Sequence, residues 1–133
     1  MFSFRLLEEN DYEKLVEWWK WFRFPVPARK FLPEDGKGGV MITKDGIDIV
    51  AGFVFFTNSK LCWIEFIVSN PEYKNKDRKQ AIVECIKKLC FIAKNKGYKA
   101  VFTSIKSENL IESYKKAGFN ASPHKTTELT FIL

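Results

Sequence analysis

A strand-like run followed by a helix-like repeat occupies the middle of the chain. Residues 61–69 are apolar on both faces of a predicted strand, and one ionisable residue, Glu65, interrupts them. Strands of this kind usually lie inside a sheet that helices cover. Residues 70–79 are polar and predict a turn, whereas residues 80–93 repeat apolar positions at helical spacing, which predicts a packed helix. Residues 100–105 predict a second strand, so the stretch is expected to form a βαβ unit with parallel strands.

The N-terminal part of the chain predicts an edge strand and an amphipathic helix. Residues 4–7 form the short apolar segment, and the helix begins at Asn10 or Asp11, either of which suits its N-cap. The apolar face of this helix has the 3.6-residue period and consists of Leu15, Trp18, Trp19 and Phe22. Three prolines between residues 25 and 33 end the helix and stiffen a long loop.

A β-hairpin is predicted between that loop and the central unit. Its strands span residues 39–43 and 47–56, and the dipeptide Asp45-Gly46 favours a tight turn between them. The second strand is apolar on both faces and is therefore expected near the centre of the sheet.

The C-terminal part predicts one more helix and two more strands. The helix spans residues 110–117, with a capping-box-like start at Asn109 and a C-terminal cap at Gly118. A short strand and a final strand over residues 127–133 follow. The element order predicts an α/β fold with a mixed, mainly antiparallel sheet, helices on both faces and a central βαβ unit.

Composition is typical of one globular domain spanning residues 1–133, because 46% of the residues are hydrophobic and 29% are charged. The three cysteines form no CxxC pair, the N-terminus lacks a signal-peptide pattern, and no apolar run is long enough to span a membrane. We therefore expect a cytoplasmic protein without a membrane partner. A single histidine without clustered ligands indicates no metal site.

The net charge of +6 is concentrated in one segment. Residues 72–99 contain nine basic and three acidic residues, a difference of +6. A solvated helix face, a phosphate-bearing ligand and a nucleic acid each explain such a cluster. Nucleic acid ranks last, because no exposed aromatic array is interleaved with the lysines.

Two segments resemble the GNAT superfamily of acyl-CoA-dependent N-acyltransferases. Residues 107–119 (SENLIESYKKAGF) are similar to the "N…a…YeklGF" segment of that family, and residues 68–82 are similar to its strand–loop–helix that binds acyl-CoA. The order of elements agrees over nearly the whole chain. The resemblance implies an N-acyltransferase that transfers acetyl from acetyl-CoA, its co-substrate, to a primary amine by direct attack.

The resemblance also implies the site residues. Glu65 would be the general base, since its place within an apolar strand should raise its pKa, and Tyr114 would protonate the departing thiolate. The alternatives are a Glu65 carboxylate that is paired with a lysine at a sheet edge or solvated at a bend, and a Tyr114 that belongs only to the core. Backbone groups at Phe66, Ile67 and Val68 would contact the pantetheine arm. The residues expected around the pyrophosphate and the rest of the cofactor are Lys74, Lys76, Asp77, Arg78, Lys79 and Asn109.

The predicted pyrophosphate loop departs from the form of the family, [Q/R]-x-x-G-x-[G/A], because both glycines are missing. Basic side chains would have to neutralise the phosphates, and the charge of Asp77 would compete with an anion for the helix N-terminus. A GNAT-fold binding module without catalysis is therefore the first alternative, and a small nucleic-acid-binding domain is the third hypothesis. The acceptor is expected to be a small-molecule or protein amine, and a homodimer is compatible with the sequence.

Overall fold

Five strands form one sheet in chain order, β1 to β5. The computed structural model describes residues 1–133. The strands are β1 (Ser3–Leu6), β2 (Gly39–Lys44), β3 (Ile47–Phe55), β4 (Leu61–Ser69) and β5 (Ala100–Phe102). All neighbouring strands are antiparallel except β4 and β5, which are parallel. The predicted mixed, mainly antiparallel sheet is therefore confirmed.

Three helices cover the two faces of this sheet. They are α1 (Asp11–Trp21), α2 (Arg78–Asn95) and α3 (Glu108–Ala117), and two short 3-10 turns lie between α1 and β2. None of the three helices is both long enough and apolar enough to cross a bilayer. The β4–α2–β5 connection is the predicted βαβ unit.

The core has one layer on each side of the sheet. On one side, Leu15 and Trp19 of α1 pack on a cluster that includes Phe53. On the other, Ile86 and Leu89 of α2 belong to a cluster that also contains residues of β2, β3, β4 and α3. Strand β3 is buried on both faces, as its continuous apolar sequence predicts.

The predicted hairpin turn and the predicted C-terminal cap of α3 are confirmed, whereas its predicted N-terminal cap is not. Asp45 and Gly46 both have positive φ, 52° and 77°, which is the backbone of the predicted tight hairpin turn. Gly118 ends α3 with φ 113°. The predicted capping box at Asn109 is wrong, because Ser107 is the N-cap and its Oγ accepts from the Leu110 amide at 3.3 Å. Asn109 lies one residue inside the helix.

The two predicted C-terminal strands are absent. No residue after Gly118 belongs to a strand, and Leu129, Phe131 and Ile132 are 91%, 84% and 71% exposed. Alternating apolar residues favour an extended backbone, but a strand forms only where a neighbouring strand supplies hydrogen bonds. Here β5 has only three residues, and the sheet ends with it.

A partly buried ion pair fixes α1 on the sheet. The Arg5 guanidinium donates to both carboxylate oxygens of Asp11, at 2.8 and 2.9 Å, and to Asp48 on β3 at 3.0 Å. Asp11 also accepts from the Glu8 amide at 2.7 Å, whereas the predicted cap Asn10 makes no side-chain cap bond. The Arg5 partner holds the pKa of Asp11 below its usual range.

Replacing Asp11 by Ala is expected to lower the free energy of unfolding by about 2–3 kcal/mol, because hydrogen bonds to a charged group are lost. Since the folded-state pKa of Asp11 is depressed, the stabilisation is present above its unfolded value of about 3.9 and disappears as pH falls below it. Urea unfolding at pH 7 and pH 3 measures both effects, with the exposed, unpaired Glu17→Ala as control. Equal stability of parent and D11A at pH 7 would contradict the prediction.

Candidate active site

Strands β4 and β5 separate in the middle of β4. Their pairing ends at Trp63 opposite Phe102, and the Thr103 hydroxyl donates to the Ile64 carbonyl at 2.7 Å just beyond. Strand β4 then continues to Ser69 without a parallel neighbour. We call this gap, between β4 after Ile64 and the chain after Thr103, the fork.

A β-bulge in β4 lies beside the fork. The register shifts so that Phe66 and Ile67 together face Gly52 of β3, and Phe66 has a φ of +62°. Gly52 leaves the space that this arrangement needs, because a Cβ there would come within 2.5 Å of Ile67 Cδ1. Beyond Ile64 no strand pairs with the other edge of β4, so backbone donors and acceptors of β4 face the fork.

The bulge also changes which side chains share a face. A regular strand would put Phe66 and Val68 on the face of Ile64, and the bulge breaks this alternation. Phe66 and Val68 pack in the α1-side core, whereas Ile64 and Ile67 pack in the α2-side core. Glu65 faces away from Ile64 and therefore lies on the α1 side, like Phe66.

The Glu65 carboxylate lies at the fork in a partly buried position. Burial raises its pKa, as predicted, and this is only partly offset by the Trp63 indole, whose Nε1 donates to Oε1 at 2.7 Å. The backbone amides of Phe66 and Ser104 also favour the charged form. No lysine or arginine forms an ion pair with Glu65, so the predicted alternative of a carboxylate paired with lysine is wrong.

Tyr114 approaches the fork from the α2 side. It is 3% exposed, and its hydroxyl is buried without a hydrogen-bond partner in the chain. The Thr103 hydroxyl lies close enough to lower the Tyr114 pKa, but the two hydroxyl oxygens do not reach hydrogen-bond geometry, and Thr103 donates to the Ile64 carbonyl instead. Burial raises the Tyr114 pKa, and the nearby Glu65 charge raises it further. A buried hydroxyl without a partner costs about 1–3 kcal/mol, so this atom is suited to a ligand that would supply one.

Asp77 forms hydrogen bonds that fix the predicted pyrophosphate loop. Asp77 accepts from the Lys44 ammonium at 2.6 Å and from the Tyr73 hydroxyl at 2.7 Å, and Lys44 is the main cause of its lowered pKa. Asp77 therefore occupies the N-cap position of α2 without a side-chain cap hydrogen bond, and the expected competition of its charge with an anion there stays a prediction. The amides of Lys79 and Gln80 have no backbone acceptor.

The missing glycines do not strain this loop. No residue between 70 and 80 has a positive φ, so the turn into α2 needs no glycine. The Arg78 guanidinium donates to the Ser69 hydroxyl at 2.6 and 3.1 Å and lies 5.5 Å from the Phe22 ring centre. Arg78 is thus turned toward the sheet and α1, whereas Lys74 and Lys76 are exposed on the loop.

A groove of about 270 Å³ lies between α2 and α3. Its lining residues are Lys79, Gln80, Val83, Asn109, Glu112, Ser113 and Lys116. The structure therefore brings together two of the predicted cofactor residues, Lys79 and Asn109, from helices 30 residues apart in sequence. Lys116 was not predicted, although it lies within the family-like segment, because the sequence does not show which of its two adjacent lysines faces α2.

A larger groove, of about 410 Å³, lies elsewhere. Its lining includes Phe2, Phe4 of β1 and Phe91 of α2, at the edge of the sheet opposite β5. It contains neither predicted catalytic residue, and the fork is therefore the better candidate site. No group of histidine, cysteine and acidic side chains is arranged to hold a metal ion.

Comparison of the sequence with protein-family models and with curated proteins gives no match. By contrast, the structure of this chain superimposes on solved structures of other proteins. The ribosomal-protein-S18-alanine N-acetyltransferase of Escherichia coli superimposes with a TM-score of 0.71 at 17% identity, over 92% of this chain and 79% of that chain. An acetyltransferase of Trypanosoma brucei gives a TM-score of 0.66 at 20% identity, over 98% and 100%.

The N-acetylglutamate synthase of Neisseria gonorrhoeae, in a structure with coenzyme A and L-arginine, gives a TM-score of 0.71 at 16% identity. The similarity covers 96% of this chain and 29% of the synthase. Identities this low establish the fold alone. The order of strands, the parallel β4–β5 pair and these superpositions together show that the chain has the GNAT acetyltransferase fold.

Proposed function

We propose that the protein is an acyl-CoA-dependent N-acyltransferase that transfers acetyl from acetyl-CoA to a primary amine. The observation that carries this proposal is the pair of groups at the fork. Glu65 lies on the α1 side with a raised pKa, and the unpartnered Tyr114 hydroxyl lies on the α2 side. An acid and a base on opposite sides of one gap suit a reaction that takes a proton from one reactant and gives a proton to the other.

The residues present fit a CoA thioester. Lys79 and Lys116 offer two positive charges along the groove between α2 and α3, and the amides of Lys79 and Gln80 are free at the positive end of the α2 dipole. Lys74 and Lys76 extend this positive surface along the loop. Backbone groups of the bulge, at Phe66 and Ile67, would face the pantetheine arm, with Val68 beyond them. When bound, CoA supplies an acyl group that is activated as a thioester.

The transfer can be written with these groups. The amine nitrogen attacks the thioester carbonyl carbon, the carbon–sulfur bond breaks, and an amide and a thiol are formed. The Glu65 carboxylate accepts the proton that the amine loses, directly or through a water molecule. Tyr114 donates its proton to the departing sulfur and recovers one from solvent. Its raised pKa keeps the hydroxyl protonated before that step.

The α1 side of the fork would receive the acceptor amine. Trp63, Glu65 and Phe66 lie there, and Phe102 is 48% exposed beside Trp63. The three cysteines are free thiols, which supports a cytoplasmic location for the protein.

A binding module with the same fold is the second candidate. The observation that favours it is the loop before α2, where Arg78 donates to Ser69 and Lys44 donates to Asp77, so neither cation is available to phosphate. Such a protein would bind an amine or an acyl-CoA without turnover. Detectable acetylation of any amine would exclude it.

The test of the cofactor site is calorimetric titration with acetyl-CoA. Replacing Lys79 and Lys116 together by Ala is expected to weaken binding about tenfold and to flatten its dependence on salt, because two phosphate-facing charges are lost. The matched control replaces Lys94 and Lys99, which are exposed at the far end of α2 and just beyond it, and changes the net charge equally.

Equal affinity in the parent and in the K79A/K116A variant would place the phosphates elsewhere. A parent that binds neither CoA nor acetyl-CoA would overturn the proposed function itself.

A further inference from the structure

The Glu65 carboxylate is held by a neighbour on its own strand. The Trp63 indole Nε1 donates to Glu65 Oε1 at 2.7 Å, across two residues that share one face of β4. Oε2 receives no donor from any side chain. The indole therefore holds one oxygen of the carboxylate, and no side chain competes for the other.

The indole is itself fixed by the last residue pair before the fork. Trp63 lies opposite Phe102 in the β4–β5 register, and their ring centres are 4.4 Å apart. Trp63 is only partly buried, so its N–H could equally be satisfied by water. The contact with Phe102 instead keeps the indole plane in place, and the indole keeps the carboxylate in place.

We propose that Trp63 is a positioning residue for the acyl transfer: its N–H, with Phe102 as support, holds Glu65 in one orientation at the fork so that Oε2 faces the acceptor amine. This inference rests on the proposed function. It adds that Glu65 is oriented by a residue of its own strand, Trp63, and not by a cation. It also adds that the Trp63–Phe102 pair forms one wall of the acceptor site. A fixed base avoids the loss of rate that follows from small displacements of a catalytic group.

The same contact should influence the protonation of Glu65. Burial and the negative Glu128 raise its pKa, whereas the Trp63 N–H and the amides of Phe66 and Ser104 lower it. Tyr114 faces the carboxylate from α3 and is neutral at ordinary pH because its own pKa is raised. Without the indole N–H, one of the contacts that lower the Glu65 pKa is lost, while burial still raises it. The Glu65 pKa should therefore rise.

The test replaces Trp63 by Phe, which keeps an aromatic ring against Phe102 and removes the donor. Carboxyl ¹³C NMR, with the Glu65 signal assigned by its loss in Glu65→Gln, measures the titration without any substrate. We expect the midpoint to rise by about one pH unit. The acid limb of the pH–rate profile should move by the same amount, so turnover at a pH below the new midpoint falls about tenfold and recovers at high pH.

Two further variants separate orientation from folding. Trp21→Phe changes a tryptophan that is 64% exposed on α1 and should leave both the midpoint and the rate unchanged. Phe102→Leu keeps the donor but loosens its support, and we expect a smaller shift in the same direction. Thermal unfolding of each variant checks that the fold is retained, and F102L serves as the test if W63F does not fold.

The outcomes distinguish the two levels of the proposal. A Glu65 midpoint that is unchanged in W63F, or in F102L if W63F does not fold, overturns the inference even if the parent is an active transferase. A parent with no turnover on any amine overturns the proposed function, and the role of Trp63 in catalysis with it, whatever the titration shows. A shifted midpoint with a matching shift of the acid limb supports both.

Discussion

Replacing Tyr114 by Phe is expected to lower turnover by about 10²-fold while acetyl-CoA affinity stays nearly unchanged. The substitution removes the proton donor for the departing thiolate, and general acid catalysis contributes effects of this size. Acetyl-CoA affinity should not change, because the aromatic ring at position 114 and its packing remain. Turnover under saturating substrates and calorimetry with acetyl-CoA measure the two quantities on one preparation.

The same substitution has a second expected result, on stability. The Tyr114 hydroxyl is buried without a partner, so removing it should stabilise the free protein by about 1 kcal/mol instead of weakening it. Tyr98→Phe is the matched control, because the Tyr98 hydroxyl donates to the Thr57 carbonyl at 2.6 Å. That variant should lose about 1 kcal/mol of stability and keep full turnover. If Y114F retains turnover and loses stability as Y98F does, Tyr114 is a core residue only.

Replacing Glu65 by Gln is expected to lower turnover by about 10²–10³-fold, since a general base is lost. The amide oxygen can still accept from the Trp63 indole, so the side chain keeps its place and only its basicity is removed. The deficit should be largest at low pH, where few amine molecules are already deprotonated. In the parent, the rate should rise with pH through the Glu65 pKa, which burial places above its ordinary value of about 4.3.

The pH–rate profile from pH 5 to 10 provides the measurement. Glu128→Gln is the control, because Glu128 also acts on Glu65 but lies on the exposed C-terminal segment. Its loss should lower the Glu65 pKa slightly and leave the maximal rate unchanged. A profile of E65Q that superimposes on that of the parent would remove Glu65 from the mechanism and leave solvent as the base.

Short-range patterns account for what could be predicted. The Asp45-Gly46 turn and the end of α3 at Gly118 depend on the backbone preferences of single residues, and both were predicted. The helices follow from apolar positions repeated every three or four residues, which bury one face wherever a core is available. Glu65 was identified for a similar reason, because one carboxylate within an apolar strand must be at least partly desolvated.

The features that could not be predicted from the sequence depend on contacts between distant segments of the chain. The C-terminal alternation of residues 127–133 suits a strand, yet no neighbour pairs with it. Asp77 follows the rule for an N-cap by position, but the partner that turns it away from the helix, Lys44, is 33 residues distant. The bulge at Phe66 depends on the absence of a side chain at Gly52 on the next strand, and no pattern within β4 indicates it.

By itself, the sequence determined the order of elements up to α3 and the βαβ unit, because each follows from residues close together along the chain. Only the tertiary structure decided how these elements meet. It separated β4 from β5 after Trp63 and Phe102, placed Glu65 and Tyr114 on opposite sides of the resulting fork, and left the Tyr114 hydroxyl without a partner. The physical reason is that hydrogen-bond partners, burial and pKa depend on distances between segments, which the order of residues does not contain.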